Sequence, residues 1–376
     1  MIIIKNILFI HHYGGYGGAG ISLINNIEML KDDYRITVIL PSYPDDMRNE
    51  LLRLNVKVIE FNDVIGTVPI YSGGSDFWKP SMYKSIFKIF GFNKFLNKII
   101  KTDNYDFVLV NSITLFWVGF KKNIQFEKLG CFVRETRDKR KKISNILIKK
   151  IINKYFSKIF FISEFDKNTY EDRRSKSKYY LINDCMKKVN FIKSKNKNSL
   201  NLLFLGGYQK IKGLDILLKA LNYLNNKDIK LSIAGDTEIK SSYANKIHKS
   251  INTLNKKGMN IKVIGTVKNA SDMYNDTDIL IFPSRKPHQS RPLFEAGFYK
   301  IPVIITENEI VNERIENGFN GFKFEARNFK SLSRKIKLFI KNPNLVNKLG
   351  ENNYELSLKN HKFEDVKINL LKAIEE

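Results

Sequence analysis

The sequence predicts an α/β protein of two parallel-sheet domains with a ligand cleft between them, and three observations carry that prediction. At 376 residues the chain exceeds the size at which a single hydrophobic core stops growing. Short apolar runs alternate with amphipathic stretches in both halves, as in a parallel sheet covered on both faces. In the second half, four of five such runs end in Gly or Pro-Ser, which puts tight turns at the strand ends where doubly wound sheets bind ligands. The expectation is two Rossmann-like halves facing each other across a cleft.

The first half reads in order as a strand over 6–10, a glycine loop, and a helix with Leu23, Ile24, Ile27 and Leu30 at helical spacing. Strands follow at ITVIL (36–40), VKVIEF (56–61), FVLVNS (107–112), GCFVRE (130–135) and KIFFIS (158–163). The polar, Lys- and Asn-rich stretch around 191–200 reads as a linker between a domain over 1–190 and another over 201–355. The second series is LLFLG (202–206), LSIAG (231–235), IKVIG (261–265), DILIFPS (278–284) and PVIIT (302–306). The tail, 356–376, reads as a helix that could pack on either domain, back onto the first included. No short internal repeat is present.

Composition narrows the function classes. No run approaches the ~18 apolar residues needed to span a bilayer, and the apolar start MIIIKNILFI leads into a glycine loop rather than a cleavage site, so it reads as a buried strand rather than a leader. Two cysteines, Cys131 and Cys185, make no disulfide framework and lack metal-ligand spacing; the expected setting is a reducing cytoplasm. The net charge of +26 suits phosphates, anionic headgroups or nucleic acid, although Lys, Asn and Ile are heavily used throughout, as an AT-rich coding sequence would produce. No module with base-stacking aromatics is recognisable, which argues against nucleic acid. Residues 82–101 and 139–158 interleave Lys with an apolar stripe. Such helices suit either peripheral contact with an anionic membrane on the inner face or ordinary packing on their own domain.

The loop HHYGGYGGAG (11–20) contains Gly15, Gly17 and Gly20 at the G-x-G-x-x-G spacing of a dinucleotide site. The fingerprint fails there: His11, His12 and Tyr13 lengthen the loop, and the second strand ends Leu40-Pro41-Ser42 with no acid until Asp45. What remains is a glycine loop at a helix N-terminus, suited to an anion or to a tight turn alone. His11 and His12 are adjacent in a strand exit and point opposite ways, which argues against a shared metal and for one of them facing the cleft. Asp276-Thr277-Asp278 spells D-x-D, but it precedes its strand instead of following one, so no metal site is expected.

In the second half, Lys212-Gly213 stands just before a helix with Leu214, Leu217, Leu218, Leu221 and Leu224 on one face, a placement that suits neutralisation of a diphosphate. Pro292 suits a first helical turn and puts Glu295 near that helix's start, where an acid can take a sugar's vicinal hydroxyls.

These residues together resemble the family 4 glycosyltransferases of the GT-B fold. The resemblance covers most of the chain and is strongest over 202–325: Gly17-Gly18-Ala19 matches the GGA loop, Gly206 with Lys212-Gly213 the G-R-x(4)-K-G segment, Pro283-Ser284 the P-S strand end. Glu295-Ala296, Pro302-Val303-Ile304 and 317–321 match E-A, P-V-I and D-G-x-N-G. It implies a nucleotide-sugar donor on the second domain and a glycan or lipid-linked acceptor on the first, as in bacterial surface polysaccharide or glycoconjugate synthesis. Lys212 and Gly213 would hold the diphosphate, Glu295 the ribose, Thr266 and Val267 the base, with Gly17 and Gly18 facing the phosphate and reacting sugar. Transfer would retain anomeric configuration and need no metal or other cofactor, the leaving phosphate helping to deprotonate the acceptor on the same face.

Two departures bear on the donor. Gly207 stands six residues before Gly213 with no Arg in the loop, and Pro287 replaces the first Glu of E-x(7)-E. His288, Gln289 or Arg291 could substitute on the donor side beside Ser284 and Ser290, with His288 a candidate catalytic group. Glu135, where many members present an acid after a His, is a candidate base or acceptor ligand; an ion pair with Arg134 or Arg137 is the alternative. A catalytically weakened nucleotide-sugar-binding homologue is the second reading.

Overall fold

The computed structural model describes residues 5–68, 80–136, 142–191, 199–267, 270–287 and 290–376. The chain forms two compact units, Met1–Cys185 with Phe363–Glu376, and Met186–Lys362.

Unit 1 runs β1 (Asn6–Ile10), α1 (Gly18–Leu30), β2 (Arg35–Pro41), α2 (Asp46–Arg53), β3 (Lys57–Phe61), α3 (Pro80–Thr102) and β4 (Phe107–Val110). It continues through β5 (Leu129–Val133), α4 (Lys142–Tyr155), β6 (Lys158–Phe161), α5 (Glu164–Tyr170) and β7 (Lys178–Leu181). The strands are parallel in the order β3-β2-β1-β4-β5-β6-β7. Alternate residues of β1 face opposite layers. Leu8 and Ile10 join Phe92 and Leu96 of α3 and Ile148 and Ile152 of α4, while Ile7 and Phe9 join Leu23 and Ile27 of α1.

Unit 2 runs β8 (Leu200–Leu205), α6 (Leu214–Leu224), β9 (Ile229–Ala234), α7 (Ser242–Lys256), β10 (Asn260–Gly265), α8 (Ser271–Asn275) and β11 (Ile279–Phe282). Then come α9 (Arg291–Phe298), β12 (Val303–Thr306), β13 (Gly321–Phe324), α10 (Phe329–Lys341) and α11 (Asn344–His361). Its parallel sheet has the order β10-β9-β8-β11-β12-β13. Leu214, Leu217, Leu218 and Leu221 of α6 are buried against Leu202 and Phe204 of β8.

Two boundaries differ from the sequence reading. Residues 186–190 go with the second unit, because Met186 and Val189, with Phe191, pack against its Leu203–Leu280 core; most of the expected linker, 192–198, lies outside the described residues. The tail is not one helix: residues 356–361 finish α11 in unit 2, and α12 (Phe363–Glu375) belongs to unit 1. There Val366, Leu370, Ala373 and Ile374 complete the α1 layer, and Lys158 Nζ donates to the carbonyls of Ala373 (3.1 Å) and Ile374 (2.5 Å). Among the described residues no helix is long and apolar enough to cross a membrane.

Candidate functional site

In unit 1 the strand order changes direction between β1 and β4, so the loops after these two strands diverge and leave a crevice. Asn111, just after β4, donates through Nδ2 to His11 Nδ1 (3.1 Å) and to Ala19 O (2.9 Å). That bond leaves the His11 ring proton on Nε2. Burial, then His12, then Arg134 hold His11 well below its usual range, and burial pushes His12 down to about 4; both rings are neutral at pH 7. Arg134 Nε donates to Asn111 Oδ1 (3.0 Å), and its Nη1 pairs with Asp184 Oδ1 at 2.9 Å, both side chains almost fully buried. Ser22 Oγ lies 2.5 Å from Asp184 Oδ1 and 2.9 Å from Gly18 O. A continuous polar chain therefore ties the glycine loop and the start of α1 to the exits of β4 and β5.

Two glycines of that loop have different reasons. A Cβ on Gly14 would stand 2.0 Å from Pro44 O, so packing requires glycine there. Gly17, the residue before α1, has extended backbone (φ −162°) and nothing within 4 Å of where a Cβ would stand. Neither conformation nor packing requires glycine at Gly17, and no side chain caps the helix. The space beside an uncapped helix start is what an incoming anion needs. Gly17→Val should leave the melting temperature within a few degrees of wild type while weakening anion binding at this helix start roughly tenfold or more; a titration with inorganic pyrophosphate beside a thermal melt checks both.

Glu135 is partly buried, and that burial raises its carboxyl despite hydrogen bonds that oppose the rise. It accepts from Ser112 Oγ and from the Ile113 amide (3.1 Å), while Ser112 caps the turn at Thr114. Its carboxylate thus anchors the loop after β4, and the Arg134 guanidinium reaches Asn111 and Asp184. Arg137 lies outside the described residues.

In unit 2 the order changes direction between β8 and β11. Gly213 has φ +78°, and a Cβ there would stand 2.0 Å from Pro283 O, so the loop after β8 closes directly on the exit of β11. The Arg285 amide donates to Ile211 O (2.8 Å), and Ser284, buried, donates to Lys286 O (2.8 Å). This brings together Lys212, Gly213 and Ser284. Lys212 Nζ sits 5.6 Å from the centre of the Phe282 ring, and burial pushes the ammonium down to about 8. Gly213 precedes α6 with no side-chain cap. Asp215, in the first turn, accepts from Tyr243 Oη (2.8 Å) and pairs with Arg285 Nη2 (2.5 Å).

Glu295 falls beyond the first turn of α9, which opens at Arg291, so it lies deeper in the helix than the sequence reading put it; its Oε1 accepts from Arg291 Nε (3.0 Å) and its Oε2 from Tyr274 Oη (3.1 Å). Arg291 also lies over the Phe294 ring at 5.1 Å. Ser290 precedes this helix, buried and without a capping bond from its side chain. Thr266 and Val267 follow β10, two strands from β8 on the same sheet edge. His288 and Gln289 lie outside the described residues. Asp278 Oδ2 accepts from the Asn201 amide (2.8 Å), at the start of β8 and so at the sheet edge opposite to Lys212. Sequence reasoning missed Asn111, Asp184, Tyr274 and Arg285; the partner of each is remote in sequence.

Two doubly wound parallel units, each with a glycine loop and an uncapped helix start at its reversal of strand order, define an α/β protein of the GT-B fold. Its solved likenesses agree: Anabaena HepE in complex with UDP and glucose has a TM-score of 0.77 at 16% identity over 98% of this chain and 99% of that one. Sucrose-phosphate synthase from Thermosynechococcus elongatus has 0.77 at 14% over 98% of each. Residues 186–356, nearly all of unit 2, match the family model of glycosyl transferases group 1. Among relatives, the capsular polysaccharide biosynthesis glycosyltransferase CapM of Staphylococcus aureus is 25% identical over 50% of this chain and 46% of its own length. CapH of the same organism is 25% identical over 61% and 66%. The chain thus spans about half the length of CapM.

Proposed function

We propose that the protein transfers a sugar from a nucleoside-diphosphate sugar to a glycan or lipid-linked acceptor in surface polysaccharide synthesis, with retention of configuration and without a metal. The observation that carries this reading is the loop after β8: a shielded lysine beside the uncapped start of α6, locked onto the exit of β11. An anion there gains from both the ammonium and the amides of the first turn. Glu295, already oriented by Arg291 and Tyr274, keeps free lone pairs for ribose hydroxyls.

In this reading the acceptor hydroxyl attacks the anomeric carbon from the face the diphosphate leaves. Its proton passes to a leaving phosphate oxygen, and Lys212 stabilises the charge growing on that phosphate. The names of CapM and CapH support a capsular glycan as product, and the UDP and glucose held by HepE support a uridine donor.

A melting screen against UDP, GDP and ADP, followed by transfer assays with the matching sugars, tests it. One base should raise the melting temperature above the others, transfer should persist in EDTA, and the product's anomeric proton should show the donor's configuration. Nucleotide binding without transfer or hydrolysis of any sugar would instead favour the weakened homologue, which Pro287 and the pairing of Arg291 with Glu295 suggest.

A further inference from the structure

Helices α3 and α4 bear apolar side chains on two faces, and among the described residues only one of these faces is packed into a core. The inner face of α3 packs Phe92 and Leu96 into the core, and that of α4 packs Ile148 and Ile152. On the outer face of α3, Tyr83, Phe87 and Phe90 are 52%, 74% and 67% exposed, with Ile86 beside them. On the outer face of α4, Ile143, Ile146 and Leu147 are 85%, 54% and 51% exposed. Water-exposed aromatic and aliphatic side chains grouped in this way mark a surface that meets something.

The pattern is the same on both helices. Tyr83, Phe87, Phe90 and Lys94 follow one another at i, i+4, i+7 and i+11, and Ile143, Leu147, Lys150 and Lys154 repeat that spacing. Each stripe begins apolar and ends in exposed lysines. Neither helix contains an aspartate or glutamate. Both pack on the same face of the sheet. Each follows a strand of one parallel sheet and leads into the next, β3 to β4 and β5 to β6, so both begin at the edge where the strands end. Their apolar halves therefore share one edge of unit 1, with the lysines behind them. Tyr13 and Tyr16, in the loop after β1 and also exposed, lie at that edge.

We infer that the outer faces of α3 and α4 dock along their length on an anionic lipid bilayer, the apolar halves entering the headgroup boundary and Lys94, Lys98, Lys101, Lys150 and Lys154 meeting the lipid phosphates. A second copy of the chain fits poorly, because a self-complementary contact would oppose carboxylate-free lysine rows. A bilayer accepts both halves of each stripe: hydrocarbon takes the rings, and negative surface potential takes the ammonium groups. The inference goes beyond the transfer reaction and stands without it.

The test is co-sedimentation of the full chain with phosphatidylcholine vesicles that do or do not contain phosphatidylglycerol. Wild type should partition onto the anionic vesicles only. Phe87→Ser with Phe90→Ser should weaken that partitioning roughly tenfold or more, as should Lys94→Glu with Lys98→Glu. These residues are exposed, so circular dichroism and melting should stay at wild-type values. Equal partitioning of wild type and the serine variant would overturn the proposal, as would equal binding to phosphatidylcholine alone. So would failure to sediment together with a dimer, seen by light scattering, that the serine variant dissociates.

Discussion

Lys212→Met is expected to lower affinity for the cognate nucleoside diphosphate by roughly ten- to a hundredfold, the range of a charge-assisted hydrogen bond removed from a shielded site. Methionine is an unbranched side chain of similar length that can still lie by the Phe282 ring, so the fold should be unchanged. A second signature comes from pH. Burial holds the ammonium at about 8, and a bound diphosphate favours the charged form. Wild-type affinity should therefore fall as pH rises through 8. Binding at pH 9 should take up a proton, visible in calorimetry as an enthalpy that depends on the buffer. The methionine variant should lose both effects. Affinity insensitive to the substitution, with wild-type binding flat to pH 9, would remove the diphosphate from this loop.

Arg134→Leu should destabilise unit 1 by about 3–5 kcal/mol, the cost of removing one partner from a buried ion pair. The pair with Asp184 is 5% and 11% exposed, so solvent cannot replace the guanidinium. The loss would also free Asn111 Oδ1, and with it the amide that holds His11 and the carbonyl of Ala19. Transfer should fall further than stability alone requires, because the glycine loop is at the far end of the same chain. Adding Asp184→Asn should recover part of the stability by removing the orphaned charge; denaturant melts of the two single variants and the double variant measure the coupling.

Strands such as 6–10 and 202–205 were legible because a fully buried parallel strand is an unbroken apolar run with turn residues at its end. Strands β7 and β13 were not: KYYL is half polar at the sheet margin, and GFKF is short with an outward lysine. Lys212, Gly213 and Glu295 stood out from local signals, a lysine and glycine before a helix and a proline within its first turn. The positions of Gly213 and Pro283 show why these loops belong together, yet that contact joins residues seventy apart and leaves no local trace. The network of Arg134, Asn111 and Asp184 was hidden for the same reason. A lone polar residue reads alike in sequence whether it faces solvent or a partner in another loop.

The last helix, α12, lies in the first unit, where its apolar side chains complete the α1 layer and its terminal carbonyls receive Lys158. On the ribosome, the amino-terminal sheet must therefore wait, one layer incomplete, while the whole middle of the polypeptide is made and can already collapse. Completing the layer begun by the first-translated residues thus depends on a helix made only after the whole of the second unit.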